Sequence, residues 1–324
     1  MDGIVLLAKQ PGLTSFSSLH NVKKALNTTK VGHTGTLDSF AQGLLVVCTG
    51  RFTRLAGKIT EFDKTYEAVI KFGEETDTLE YTGNIIKTGP LPTKEKIIEV
   101  LPEFTGDINQ LPPAFSAIHV DGKRASDLAR KGKSVDIPPR KVTVYKAEVK
   151  EFRENSEGGV EACLIEFKVS KGTYIRSLAR DIGTACGSAA HLIGLYRTQV
   201  GNFNILDSAA YSLLPEFNIQ NAYMQMDKKE DFFDDDFIKN EIVEKIQTVN
   251  KTVSVECGFY NIDLINDEAL SEFQNGKPIR NKLYVQNLFD IPNNTECAVF
   301  YKDKFTGLLN KNSEGKLKYS FVIN

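Results

Sequence analysis

The chain's densest chemistry lies in Val31-Gly32-His33-Thr34-Gly35-Thr36-Leu37-Asp38-Ser39-Phe40-Ala41-Gln42-Gly43-Leu44-Leu45. A histidine, an aspartate, two threonines and three glycines precede a run that reads as a buried strand. Glycines at 32 and 35 permit positive φ and let a ligand approach backbone N–H groups. A plain alternative is a polar loop in which Asp38 caps a turn. The chain has no G-x-x-x-x-G-K-[ST] phosphate loop. Asp38 has no second aspartate two residues on, as a phosphoaspartyl enzyme would. A metal held by His33 and Asp38 would need a third ligand that the sequence does not offer nearby.

A second segment, Val169-Ser170-Lys171-Gly172-Thr173-Tyr174-Ile175-Arg176-Ser177-Leu178-Ala179-Arg180-Asp181, reads as a strand end turning into a helix. Arg176 and Arg180 share one helical face, which suits a carboxylate or phosphate. Arg180 and Asp181 read as a surface ion pair, whereas Arg176, among apolar residues, reads as a partly buried partner for an acid. The third segment, 123–141, carries seven bases and two acids. Charge runs are commonly solvated faces. This one is bracketed by the proline pairs 112–113 and 138–139, and an arm that clamps an anionic polymer fits it.

These segments need elements to position them. A strand is expected at 3–8, then a helix from Ser15 as cap to about Asn27, with Phe16, Leu19, Val22 and Leu26 on one face. Strands follow at 44–49 and 64–72, and a helix at 93–101 capped by Thr93. The stretch 110–141 reads as irregular. A hairpin is expected from 142–152 and 160–170, and a helix over 174–186. Residues 227–236 hold six acids and two bases and read as a solvated linker or insertion. Beyond about 253, short strands at 283–289, 296–302 and 317–323 indicate a small β-rich unit.

The 324 residues allow two domains, and 41% hydrophobic with 25% charged residues excludes global disorder. Five scattered cysteines without a C-x-x-C pair argue against a disulfide framework and a zinc ribbon. No run is long enough to span a bilayer and no basic secretory leader opens the chain, so a reducing cytoplasm is expected. The net charge of −2 divides into +3 over residues 1–210 (27 bases, 24 acids) and −5 over 211–324 (13 bases, 18 acids). A sequence-blind nucleic-acid coat is excluded; local clusters carry the charge.

Together the segments resemble the TruB family of tRNA pseudouridine synthases. Residues 32–45 follow the pattern G-H-x-G-x-L-D-P-x-A-x-G-L-L, with Ser39 in place of proline. Lys9 to Ser15 follow K-P-x-G-x-T-S with the proline one place late, and Lys64-Thr65-Tyr66 follow K-x-Y. Pro112 to Arg124 follow P-P-x-[YF]-S-A-x-K-x-x-G-x-R with His119 in the lysine place, and Ser126 stands where a tyrosine is common. Ser170 to Asp181 follow S-K-G-T-Y-I-R-S-L-x-R-D. Residues 255–323 resemble, more weakly, an RNA-binding PUA-type domain.

The resemblance implies an α+β fold: a mixed, mainly antiparallel sheet flanked by helices and loops, plus a small β-rich PUA-like C-terminal domain. The chain is then expected to divide into a pseudouridine synthase catalytic domain over 1–215 with an RNA-clamping arm at 110–141, an acidic linker or insertion over 216–252 that the resemblance does not cover, and a PUA-like domain over 253–324. The resemblance implies an isomerase that converts the uridine at position 55 in the tRNA T-loop to pseudouridine by base flipping. No cofactor and no metal are expected. Asp38 would be the catalytic carboxylate, either attacking C1′ or removing the 2′-proton. Arg176 would pair with Asp38, and Tyr66 would stack on the uracil and could move a proton. His33 would take the place of the flipped base. Gly32, Lys9, Lys64, Lys123, Arg124, Arg130, Lys131, Lys171 and Tyr174 would contact RNA. The T-stem-loop of tRNA would be the partner of a monomer with no membrane and no obligatory protein partner. The rivals are a guide-RNA-dependent synthase subunit, for which the basic arm is too complete, a non-catalytic RNA-binding module, and an aspartate-based hydrolase, whose own motif is missing.

Overall fold

Apolar runs bounded by turn residues become strands buried on both faces. In the computed structural model, which describes residues 2–116, 118–120, 122–132, 137–227 and 235–323, the chain opens with β1 (Gly3–Lys9), α1 (Ser15–Ala25), β2 (Val31–Thr34) and β3 (Gln42–Thr49). Helix α2 (Ala56–Thr60) leads into β4 (Lys64–Phe72), the small hairpin β5 (Glu74–Thr76) and β6 (Ile85–Thr88), α3 (Lys94–Val100) and β7 (Gly106–Gln110). The arm holds β8 (His119–Val120), β9 (Lys123–Arg124) and α4 (Ala125–Ala129). The expected hairpin is β10 (Arg140–Glu154) with β11 (Val160–Val169). It is followed by α5 (Ile175–Ala185), β12 (Ala190–Val200) and β13 (Phe203–Asn204). The remainder comprises α6 (Ile219–Met226), α7 (Asp235–Lys245), α8 (Lys251–Glu256), β14 (Tyr260–Asp263), α9 (Asp267–Gln274), β15 (Thr295–Tyr301), β16 (Lys304–Lys311) and β17 (Leu317–Val322).

The large sheet runs β1-β3-β12-β4-β11-β10-β7, with β2 on β3 and β13 on β12. Its pairings are antiparallel except β12 on β3. This α+β arrangement is the expected mixed sheet, and its central strands β3, β12 and β4 carry the site. Gly43 is required where β3 meets β12: a Cβ there would lie 2.4 Å from the Arg197 carbonyl oxygen and 2.6 Å from its nitrogen. Along β4, Tyr66, Ala68, Ile70 and Phe72 all face the core, as their alternation predicts.

The small sheet runs β14-β15-β16-β17. One of its faces has its own core, including Ile262, Phe273 and Leu309. Phe300, Phe305 and Leu308 instead join the cluster that holds Ile4, Val47 and Phe52 of the large sheet. The two sheets therefore share apolar surface.

Several expectations change. Thr14, not Ser15, caps α1, its hydroxyl accepting from the Ser17 amide at 3.0 Å. Ser15 is diverted to a loop contact described below. Phe16 is not on the buried face but 71% exposed. The region 216–252, expected as an acidic linker or insertion, carries α6 and α7. Ile238 and Ile242 of α7 enter the main core, and the Gln247 and Ile4 backbones exchange hydrogen bonds at 2.8 Å. Residues 228–234 of the acidic run lie outside the described residues. The strand expected at 283–289 is a short 3₁₀ turn (Asn281–Leu283) followed by turns; Leu283, Tyr284 and Leu288 are buried while Val285 and Phe289 are exposed, which is not the alternation of a strand. Among the described residues, no helix is long and apolar enough to cross a membrane.

Candidate active site

The loop between β2 and β3 carries Asp38 into a cavity of about 1200 Å³, whose walls include Asp38, Tyr66, Glu80, Arg176 and His33. The loop is tied down along its length. Gly35 takes φ +76, which a residue with a Cβ rarely adopts. Ser15 Oγ accepts from the Leu37 amide at 2.8 Å and donates to the Leu37 carbonyl at 3.1 Å, fixing the residue before Asp38. Arg197, wholly buried, donates from Nη2 to the Gly35 carbonyl (3.1 Å) and from Nε to the Leu44 carbonyl (2.7 Å). Lys9, also wholly buried, donates from Nζ to the carbonyls of Gln10 (3.0 Å), Ser39 (3.2 Å) and Ala41 (2.6 Å).

Asp38 and Arg176 meet as the sequence suggests. Arg176 Nη2 donates to Asp38 Oδ1 at 3.0 Å, and Nε lies 2.9 Å from Oδ2 in an ion-pair contact. The guanidinium is anchored further: Nη1 donates to the Thr78 carbonyl and Nη2 to the Phe115 carbonyl, both at 3.0 Å. Such a two-point grip holds a carboxylate in one orientation. A cation in the first turn of α5 opposes the helix dipole, so the Asp38 contact offsets a local penalty. Gln110 supplies what α5 lacks in a side-chain cap: its Oε1 accepts from the Tyr174 amide at 2.8 Å and its Nε2 donates to the Tyr174 carbonyl at 3.0 Å. The arginine side chain is only 7% exposed, while that of Asp38 is 31% exposed and open to the cavity.

Burial and crowding of cations set the electrostatics. Burial pushes the Lys9 ammonium down to about 7, against the pull of Asp38. Burial, with Arg197 nearby, takes Lys64 to about 8; its Nζ donates to the Thr60 carbonyl at 2.6 Å and to that of Phe62. His33 is held below its ordinary value by burial and by Arg197. Glu80 is pushed up by burial and by Asp38. It follows Leu79, whose φ of +60 is a strained conformation for a leucine, held by backbone bonds of Leu79 and Tyr81 to Leu192. Among the described residues, no cluster of three or more His, Cys, Asp or Glu is arranged to hold a metal ion.

The expected residues divide into three groups. Asp38, Tyr66, Arg176, His33, Lys64, Lys171, Tyr174, Arg124 and Arg130 all line the one cavity. Lys171 there pairs with Glu61, and Arg130 with Asp127 at 3.3 Å. Lys9 does not line the cavity: all three of its contacts are carbonyls beneath the Asp38 loop, so it positions the loop from below. Gly32 is not at the cavity wall either. It lies within β2 opposite Cys48, outside the positive-φ region. Lys131 is exposed and away from the cavity. Lys123 has its backbone in β9, and its side chain lies outside the described residues, as do residues 117, 121 and 133–136 of the arm. Sequence reasoning misses Arg197, Glu80 and the clamp by Ser15. Only Arg197 leaves a signal, a lone cation inside an apolar strand.

This constellation can be set beside known proteins. The sequence profile described as TruB family pseudouridylate synthase (N terminal domain) matches residues 23–175. A tRNA pseudouridine synthase B of Treponema denticola is 40% identical over 99% of this chain and 98% of its own length. One of Bordetella avium is 46% identical over 63% of this chain and 83% of its own. Among solved structures, an H/ACA RNP bound to a substrate RNA containing 2′-deoxyuridine has a protein chain of the same fold, with a TM-score of 0.62 at 24% identity, covering 99% of this chain and 83% of that one. With a full-length relative at that identity, and with the paired aspartate and arginine in the loop and helix where the motifs placed them, the chain belongs to the TruB family of pseudouridylate synthases.

Proposed function

We propose that the protein isomerises the uridine at position 55 of the tRNA T-loop to pseudouridine, as a cytoplasmic monomer without cofactor or protein partner. The observation that carries this reading is the carboxylate of Asp38, gripped at two points by a buried arginine yet open to a cavity that also presents Tyr66. Pre-orientation of an ionised carboxylate is what the chemistry requires, because either role of Asp38 needs a free lone pair at a fixed place.

The reaction balances without redox change. The C1′–N1 bond breaks, the uracil turns, and C1′ bonds to C5; C5 then loses its proton and N1 gains one. Asp38 supplies the carboxylate, by attack at C1′ or by removal of the 2′-proton. Arg176 holds it aligned through contacts to both carboxylate oxygens. Tyr66 stacks on the uracil and moves a proton, with Tyr174 on the same wall. His33 fills the gap left in the RNA stack, offsetting part of the few kcal/mol that unstacking costs. Arg124 and Arg130, with Lys123 and Lys131 of the same arm, hold phosphates. Lys64 and Lys171, beside the cavity, add positive potential. A folded loop with splayed bases suits a protein with this modest overall charge.

The test is to map pseudouridine in unmodified tRNA transcripts treated with purified protein and no guide RNA. Modification at the T-loop uridine alone is expected. No pseudouridine, or pseudouridine only when a guide RNA is added, overturns the reading.

A further inference from the structure

The cavity has one wall whose chemistry the proposed mechanism does not use. Phe16, in the first turn of α1, lines the cavity yet is 71% exposed. A scattered surface phenylalanine needs no explanation. This one stands beside the loop of Asp38 and His33, and Lys23 lies over its ring, with Nζ 5.0 Å from the centroid. Phe16, His20 and Lys23 fall at i, i+4 and i+7, so they form one stripe along α1 running away from the cavity. Phe16 and His20 are exposed, and Lys23 is half-buried. Helix α1 contains no acidic residue. Two acids of α7 reach it: Asp235 accepts from Asn21 Nδ2 at 2.9 Å, and Asp236 lies near Lys24. Those contacts touch the flank of α1, leaving the Phe16–Lys23 stripe outside them.

Resting on the function proposed above, we infer that this stripe is a second contact track for the RNA, separate from the basic arm, in which the Phe16 ring stacks on a loop base and Lys23 meets the adjoining phosphate. The chemistry fits one occupant. A flat apolar ring at the edge of a cavity built for an extruded base offers a face to a neighbour that has lost its own stacking partner. A cation one turn beyond the ring's neighbour suits the backbone that joins such bases.

The experiment measures binding and single-turnover rate on a T-stem-loop RNA for wild type, Phe16→Ala, Phe16→Leu and Phe16→Trp. Phe16→Ala is expected to weaken binding about 5- to 100-fold. The slope of affinity against salt should stay unchanged, because the ring releases no counterions. KM should rise while the saturated rate falls by less than about threefold. Phe16→Trp should bind like wild type, whereas Phe16→Leu, apolar but without a flat face, should resemble Phe16→Ala. The same proteins are then tested on hairpins lacking one loop base at a time. On one of these RNAs, Phe16→Ala should cost nothing further, which identifies the stacked base. Equal binding by wild type and Phe16→Ala, a leucine as good as tryptophan, or the same penalty on every abasic hairpin would each overturn the track. A wild type that modifies the hairpin while any of these holds overturns only the track; a wild type that neither binds nor modifies it takes down the function as well.

Discussion

The loop of Asp38 and the basic arm both depend on cations, and they use them in opposite ways. Around the loop, Lys9, Arg176 and Arg197 are buried, and their N–H groups are largely spent on backbone carbonyls and on Asp38 itself. In the arm, Arg124, Arg130 and Lys131 are more open to solvent. The arm's described packing is a small cluster of Ile118, Ala125 and Ile137 against Tyr174, helped by backbone bonds from Ala125 to Ile118 (2.7 Å) and from Ser126 to Ser116 (3.0 Å). A buried cation satisfied by carbonyls fixes geometry, because its alternatives in a dry interior are all costly. An exposed cation keeps its charge available to a partner and contributes little to the fold. The loop should therefore govern rate and the arm affinity.

The sharpest test of the loop is Asp38→Asn. The amide keeps the size and most of the hydrogen bonding, so folding and tRNA binding should be nearly normal. An amide neither attacks carbon nor takes a proton at useful rates, so turnover should fall by at least about 10⁴-fold, more than roughly 5.5 kcal/mol of barrier. Single-turnover tritium release from 5-³H-uridine tRNA, with binding in parallel, decides it. Turnover within tenfold of wild type would remove Asp38 from the mechanism and dissolve the contrast between loop and arm.

Next in size is Arg197→Met, which tests whether a buried cation bonded to backbone carbonyls controls rate. The change leaves the Gly35 and Leu44 carbonyls without a donor, at about 1–3 kcal/mol each, and frees one end of the loop. A displacement of roughly 1 Å at Asp38 is expected to cost about 10²-fold in single-turnover rate. Affinity should move far less. If affinity falls as much as rate does, Arg197 serves binding and the division of labour fails.

How much of this is legible in the sequence follows from the same division. Strands β1, β3 and β4 and helix α5 announce themselves by apolar period, and Asp38, Arg176 and Tyr66 by motif. Lys9 reads as a surface contact because lysines are rarely buried; only the folded chain brings Ser39 and Ala41 over it. Glu80 becomes part of the site through a strained turn that no period marks. Helix α7 hides behind an acidic run, since only Ile238 and Ile242 point inward. Spacing alone puts Phe16 in the core. The true core face of α1, through Leu19 and Val22, needs no third aromatic member.

On the arm, replacing Lys123, Arg124, Arg130 and Lys131 together by alanine should reduce tRNA affinity about 10- to 100-fold and flatten its salt dependence by roughly 0.7–0.9 in log–log slope for each phosphate no longer held. The rate at saturating tRNA should fall less than affinity. An unchanged slope would show these side chains to be merely solvated, and the arm would then lose its half of the comparison.

His33 lies between the two regimes, half-buried in the cavity and beside buried Arg197. Its Nδ1 is buried without a hydrogen-bond partner among the described residues, which is poor equipment for a proton carrier and no handicap for a ring that stacks. Burial and Arg197 hold its titration below the ordinary value, so the ring is neutral from about pH 6.5 upward. The sign follows: below that pH the unfolded chain takes up the proton first, so His33 withdraws stability as pH falls and contributes no change above it. The rate should accordingly show no inflection from His33 between about pH 6.5 and 8. His33→Ala should lower activity about 5- to 30-fold by losing the stacked ring, and His33→Phe should recover most of that loss. A phenylalanine as poor as alanine, together with a wild-type profile that bends in that range and a variant profile that does not, would make His33 a proton carrier and place it with Asp38 rather than with the groups that hold RNA.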